Sequence, residues 1–432
     1  MRLIEKITSD WNMELAISKV KSNKGAPGVD NMTVDEIDEY FKENGRRIIT
    51  EIRQMKYQPM AVKRTYIPKP NGEKRPLGIP TVKDRVVQQA IALQLNQLFD
   101  KDFSEFSYGF RANRRAQQGI EQALHYLNEG YEWVIDMDIE KYFDTVNHDR
   151  LISMLREQVK DRETLRLIRS FLKAGIMEDG LVTTNEFGVP QGSPLSPILS
   201  NIYLDKLDKE LESRGLKFAR YADDTNIYVK SEMAANRVMK SITNWIERKL
   251  FLKVNMTKTK VVRPTKSQFL GFTFWKNSEG WQCKPSEKSK KSLYANLKEV
   301  LVRKRASAKT LSNTFTKVNQ KFMGWINYYR IGSMKQFLDK FGQWLRHKIR
   351  VIIVKQWKKP SRIYQNLQQL NKAQGFKFTH EELFKVANTR LGWYRQCGMS
   401  VLNFILNPNI LAHRKGDRPG LVNPLEYYLS KS

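Results

Sequence analysis

Tyr221-Ala222-Asp223-Asp224 sets two carboxylates side by side between extended runs, Phe218-Ala219-Arg220 before and Thr225-Asn226-Ile227-Tyr228-Val229 after. The β-branched and aromatic flanks predict a β-hairpin with both acids at its tip. Successive strand residues face opposite ways, so two neighbouring acids reach one site only where the strand turns. Such a pair suits Mg²⁺, which takes a couple of carboxylates and fills its other positions with waters and substrate phosphates. An Asp-rich surface turn has the same local pattern, and the rest of the chain decides between the two.

Trp133-Val134-Ile135-Asp136-Met137-Asp138-Ile139 predicts a short apolar strand with two acids at alternate positions. Both then face one way, about 6–7 Å apart. Buried unpaired carboxylates cost too much, so this face either borders solvent at a strand end or binds metal, with Asp136 and Asp138 as rivals for the role. Tyr142 and Phe143 put aromatic bulk just beyond. Residues 151–174 carry a helical stripe, and Val189–Pro197 reads as a rigid turn with Ser196 as N-cap and Pro197 at the first helical position. Gln191, at the mouth of that turn, is well placed to read a substrate. Upstream, Asn71-Gly72 between extended arms predicts a tight hairpin with Lys69 and Arg75 on opposite arms. These cations either clamp a triphosphate or are simply solvated. Residues 1–60 are mostly helical, interrupted by the loop Lys24-Gly25-Ala26-Pro27-Gly28, and further helices are expected over 84–99, 116–128 and 233–250. Residues 252–262 follow the last of these, and a strand over 269–274 completes an α+β pattern: a sheet with helices packed on it.

Three long helices follow, each with an apolar stripe at helical spacing: Leu293 to Leu301, Phe315 to Tyr329 and Phe337 to Ile353. Stripes of this kind are bundle core, which leaves Lys and Arg to the outward faces. Charge is the loudest bulk property. The chain of 432 residues carries +30, and residues 288–359 alone hold nineteen Lys/Arg against two acids. Basic density interleaved with Trp325, Tyr328, Tyr329, Trp344 and Trp357 fits a surface that tracks phosphates and stacks bases. Pro360 is a candidate boundary before a smaller basic module. No apolar run approaches the ~18 residues of a membrane span, and the N-terminus lacks the pattern of a secretory signal. Only Cys283 and Cys397 occur, so neither a disulfide framework nor a Cys-based zinc site is expected, and a reducing compartment fits.

Together these segments resemble a reverse transcriptase of the kind encoded by bacterial group II introns. The resemblance rests on Ile67-Pro68-Lys69-Pro70, Gly78-Ile79-Pro80-Thr81, Ser107-Tyr108-Gly109-Phe110-Arg111, the Asp138 strand, Pro190-Gln191-Gly192-Ser193-Pro194-Leu195-Ser196-Pro197, Tyr221-Ala222-Asp223-Asp224, Phe269-Leu270-Gly271-Phe272 and Gly324-Trp325-Ile326-Asn327-Tyr328-Tyr329. Each is weak alone; their order and spacing are specific.

The family fold implies a right-hand polymerase: an N-terminal extension and start of the fingers over 1–60, fingers and palm over 61–287, a three-helix thumb over 288–360, and a small C-terminal DNA-binding segment over 361–432. It implies that Asp138, Asp223 and Asp224 hold two Mg²⁺ ions, and it prefers Asp138 to Asp136 because an aromatic, here Phe143, follows five positions later. That ring would select dNTPs by colliding with a ribose 2′-hydroxyl. By the same resemblance Lys69 and Arg75 contact the triphosphate, Gln191 lines the nucleotide pocket, Lys258 helps protonate pyrophosphate, Phe269-Leu270-Gly271 form a primer grip, and the loop with Gly25, Pro27 and Gly28 contacts the template. The chain stops at Ser432 without a Cys/His-rich endonuclease, which resembles the compact, endonuclease-lacking class. Implied partners are an RNA template, a DNA or RNA primer, a group II intron RNA and a DNA target, in a bacterial-type cytoplasm and with no membrane. Two other readings stay open: a stand-alone reverse transcriptase used in DNA repair or defence, and an RNA-binding splicing factor whose polymerase is incidental.

Overall fold

A computed structural model describes residues 2–68, 72–184, 186–412 and 419–430. The chain divides into two compact units, residues 1–270 and 271–432. Among the described residues the strands are β1 Val62–Pro68, β2 Lys74–Ile79, β3 Trp133–Met137, β4 Ile176–Glu178, β5 Leu181–Thr183, β6 Lys217–Tyr221, β7 Asp224–Val229, β8 Lys260–Val262, β9 Phe272–Asn277 and β10 Gly280–Pro285.

The first unit holds two four-stranded sheets. One runs β6-β7-β3-β8, antiparallel throughout, with Tyr221 opposite Asp224, Asp136 opposite Asn226, and Asp136 also opposite Lys260. The other runs β2-β1-β4-β5, with β1 and β4 parallel. Helices Val82–Phe99 and Ser196–Ser213 are buried on several faces, through Val86, Val87, Ile91 and Leu95 in the first and Ile198, Ile202, Tyr203 and Leu207 in the second. A helix enclosed this way must satisfy its polar side chains internally. Accordingly Gln94 donates to Asn12 Oδ1 at 2.7 Å, while Asn12 donates to the carbonyls of Ile7 and Ala90.

Several local expectations are corrected. The helix foreseen over 151–174 is two, His148–Arg156 and Arg162–Leu172. Asp161 precedes the second and accepts from Ile4 N and from the Thr164 hydroxyl, a local alternative to continuous helix. Ser196 is not the cap of its helix but its first residue, following Leu195, and its hydroxyl donates to the Pro190 carbonyl at 2.6 Å. Residues 252–262 are mostly a turn, in which β8 and a bridge between Ile139 and Val254 pair. The strand foreseen over 269–274 begins at Phe272, after a left-handed Leu270 (φ 51°). The β4–β5 hairpin escapes a periodicity reading because its strands span three residues each, whereas β10 alternates buried Trp281, Cys283 and Pro285 with half-buried neighbours, a period-2 pattern open to such a reading.

In the second unit, β9 and β10 form a hairpin, followed by long helices Glu287–Val300, Leu311–Tyr329 and Lys335–Trp357. Their stripes are core, as expected: Leu293, Leu297, Phe315, Val318, Phe322, Ile326, Leu338, Phe341, Leu345 and Ile349 are all buried. Pro360 sits in the first turn of the next helix, Pro360–Ala373. The segment beyond is tied to the long helices by hydrogen bonds. Asn319 donates to the Gly420 carbonyl and accepts from Val422 N, and the Arg350 guanidinium donates to the Leu406 carbonyl and to Asn403.

Candidate active site

The acid-tipped hairpin forms as foreseen, with Ala222 and Asp223 as its two-residue turn between β6 and β7. Ala222 is left-handed (φ 58°), a conformation costly for a side chain with Cβ and held only by its surroundings. Arg220 supplies the hold. It is wholly buried, pairs with the equally buried Asp208 through two hydrogen bonds, and donates from Nη1 to the Ala222 carbonyl at 2.8 Å. Gly109 presses on the turn from the other side: a Cβ there would lie 2.3 Å from the Ala222 nitrogen. Asn201 links the two supports, donating to the Gly109 carbonyl at 2.9 Å and accepting from Arg220. Asn201, Asp208 and Arg220 were not singled out from the sequence. Arg220 beside the paired acids is a visible signal, but its partner twelve residues earlier is not.

Asp136 and Asp138 part company. Asp136 lies within β3 and accepts from Ser267 at 2.6 Å and from Asn226 at 3.1 Å, and burial pushes its carboxyl up to about 6. Asp138 lies one residue past the strand end, with its backbone paired on both sides: its N–H to Thr259 Oγ1 and its carbonyl to Asn255 N. Its carboxylate is partly open, and Lys258 Nζ reaches it at 3.5 Å.

The acids sense one another. Asp223 is raised first by burial and next by the charge of Asp138, with Arg75 and Arg220 opposing. Asp224 is pushed up to about 7, first by surrounding protein and then by Asp223, Asp136 and Asp138, while the Leu270 backbone opposes. Part of the Asp224 side chain is open to solvent, so the three neighbouring carboxylates are the cause that carries this direction. Among the described residues no three His, Cys, Asp or Glu side chains form a ready-made metal cluster. The donor set nevertheless fits a hard divalent cation, being made of oxygens whose mutual repulsion a cation would relieve.

The remaining predicted residues fall as follows. Arg75 is on β2, close enough to act on Asp223. Lys69 lies outside the described residues. Phe143 is half-buried beside Tyr142, with its carbonyl accepting from Val189 N. The Gln191 carbonyl accepts from Gly78 N at 2.8 Å, which docks the turn on β2. Phe269 is wholly buried, so its side chain anchors the turn and does not present itself to a nucleic acid. Leu270 is partly open, and Gly271, in the second unit, is left-handed (φ 80°). Gly25 and Gly28 have a packing reason: the loop lies against the start of helix Val82–Phe99, where a Cβ on Gly28 would meet Thr81 Cα at 2.7 Å and Arg85 donates to the Ala26 carbonyl. Pro27, between them, is half-buried.

The reverse transcriptase (RNA-dependent DNA polymerase) family matches residues 67–274, and the group II intron maturase-specific domain matches residues 290–370. Protein YkfC of Escherichia coli K12 is 33% identical over 301 residues, covering 60% of this chain and 79% of YkfC. The chain belongs to the group II intron reverse transcriptase/maturase family. Within it, the group II intron-encoded protein LtrA of Lactococcus lactis is 36% identical over 207 residues, 48% of this chain and 34% of LtrA. The putative COX1/OXI3 intron 2 protein of Saccharomyces cerevisiae is 35% identical over 265 residues, 60% of this chain and 29% of that protein. The chain thus spans about a third or less of the length of these last two. Among the described residues no helix is long and apolar enough to cross a membrane.

Proposed function

We propose that this group II intron reverse transcriptase extends a primer 3′-hydroxyl with deoxynucleotides on an RNA template, and binds a group II intron RNA for splicing and mobility. The observation that carries the polymerase reading is the turn that sets Asp223 and Asp224 between β6 and β7, beside the strand β3 that ends just before Asp138, with Lys258 Nζ 3.5 Å from Asp138. Two Mg²⁺ ions held by Asp138, Asp223 and Asp224 would supply activation of the primer hydroxyl and neutralise charge on the leaving pyrophosphate. Arg75 is the cation placed for the incoming triphosphate, with Lys69 as its partner. Phe143 bars the ribose 2′-hydroxyl, Gln191 lines the nucleotide pocket, and Lys258 delivers a proton to pyrophosphate. Leu270 and Gly271 meet the primer, and the loop with Gly25, Pro27 and Gly28 borders the template.

The maturase half is supported by the domain matched over residues 290–370 and by the basic helices that fill it. In this reading residues 61–287 hold the chemistry, 288–360 grip nucleic acid, and 361–432 meet a DNA target in the cytoplasm. Asp223→Ala tests both halves at once. Primer extension on RNA should fall by more than the ~100-fold that even outer-shell metal partners reach, with intron splicing retained. Unimpaired extension overturns the polymerase assignment. Loss of splicing with a fully folded variant overturns the independence of the two roles.

A further inference from the structure

The turn after Val254 is built on the side chain of Asn255. The Asn255 carboxamide oxygen accepts from the Thr257 hydroxyl at 2.7 Å, from Thr257 N at 3.1 Å and from Lys258 N at 3.3 Å. Its backbone N–H donates to the Asp138 carbonyl at 2.8 Å, and its own carbonyl accepts from Lys258 N and Thr259 N. Thr259 Oγ1 then accepts from Asp138 N at 3.1 Å. One five-residue turn therefore clasps Asp138 by both backbone polar groups and carries Lys258, whose ammonium ends 3.5 Å from the Asp138 carboxylate. An Asx turn is a local device for fixing a chain reversal through one side-chain acceptor. Here the reversal sets how an acid and a cation from distant parts of the sequence face each other.

We propose that Asn255 is a positioning residue for RNA-templated synthesis: its carboxamide oxygen holds the turn that fixes Lys258 relative to Asp138. The proposal rests on the polymerase reading above. A group held about 1 Å off its productive place loses up to ~100-fold in rate, so the cost of losing this acceptor falls on the chemical step. Asn255 itself touches neither nucleotide nor primer in this account, which separates it from Lys258.

The test compares Asn255→Ala, Asn255→Asp, Lys258→Ala and the double variant Asn255→Ala/Lys258→Ala by primer extension on an RNA template, with kcat and dNTP KM resolved and thermal unfolding recorded. Aspartate keeps a side-chain acceptor at the same position; alanine does not. Asn255→Ala should lower kcat about tenfold or more with little change in dNTP KM. Asn255→Asp should recover most of that rate, and the double variant should be no slower than Lys258→Ala. Additive losses in the double variant, an Asn255→Asp enzyme as slow as alanine, or an unimpaired Asn255→Ala overturns it. If Asn255→Ala unfolds early, the comparison of Asn255→Asp with wild type, with and without Lys258, carries the same decision. Wild-type protein that fails to incorporate dNTPs on RNA overturns the polymerase reading instead.

Discussion

Arg220 and Asp208, both without solvent exposure, form a buried ion pair, with Arg220 two residues before the acid-tipped turn. Such a pair stabilises little against apolar replacements, but removing one partner strands a buried charge at a cost of about 3–5 kcal/mol. What it secures is geometry, through the bond from Arg220 to the Ala222 carbonyl. Nearby Asp205 has no such partner: one of its oxygens is unbonded, and burial together with the charge of Asp208 raises its carboxyl from 3.8 to about 6. Between those values the folded protein keeps a proton that the unfolded chain releases. Stability therefore falls as pH rises from about 4 to about 6, and the cost persists above. Asp205→Asn should be more stable than wild type at pH 7 by about 1–2 kcal/mol, with the difference shrinking toward zero below pH 4. Urea unfolding at the two pH values checks it; an equal difference at both would assign the effect to packing.

At the scale of elements, the candidate site is a set of turns held from behind. The hairpin tip is squeezed between Gly109 and Arg220, and the Asp138 end of β3 is clasped by the 255–259 turn. A Cβ at Gly109 meets backbone, which cannot swing aside as a side chain can. Gly109→Ala should therefore displace the tip and reduce primer extension by two orders of magnitude or more, a loss of the size that small misplacements of reacting groups produce. An active Gly109→Ala enzyme would show that the tip tolerates movement. The hairpin itself was legible, because its flanks are β-rich and the paired acids mark the turn. What presses on it was not: Gly109, Asn201 and Asp208 lie more than ten residues from the tip, and although Gly109 sits in the Ser107–Arg111 motif, nothing along the chain says that it meets Ala222. The helix break at 157–161 and the short β4–β5 hairpin were hidden for another reason: an apolar stripe continues across the break, and three-residue strands have no period to read.

Over the whole molecule, charge is uneven, and residues 288–359 hold nineteen of the seventy-five Lys and Arg with only two acids. Their helices spend apolar residues on packing, so the cations are left for a polyanion. Binding of an RNA/DNA template-primer should weaken with a log–log salt slope of several units, as counterion release from many phosphates requires. Fluorescence anisotropy from low to moderate salt measures it, and a nearly flat response would remove this segment from nucleic-acid binding. The sequence by itself determined the class of fold, the helical bundle and the identity of the paired acids, because periodicity, turn chemistry and charge density are local and survive without coordinates. Its spacing left Asp136 and Asp138 as rivals on one predicted face, with the family pattern around Phe143 preferring Asp138. The tertiary structure supplies the physical difference between them: Asp136 has buried partners in Ser267 and Asn226, and Lys258 comes to Asp138 from 120 residues away. The physical reason is that a hydrogen-bond partner or a counter-charge is a property of three-dimensional neighbourhood, and no spacing along the chain encodes which distant residue will supply it.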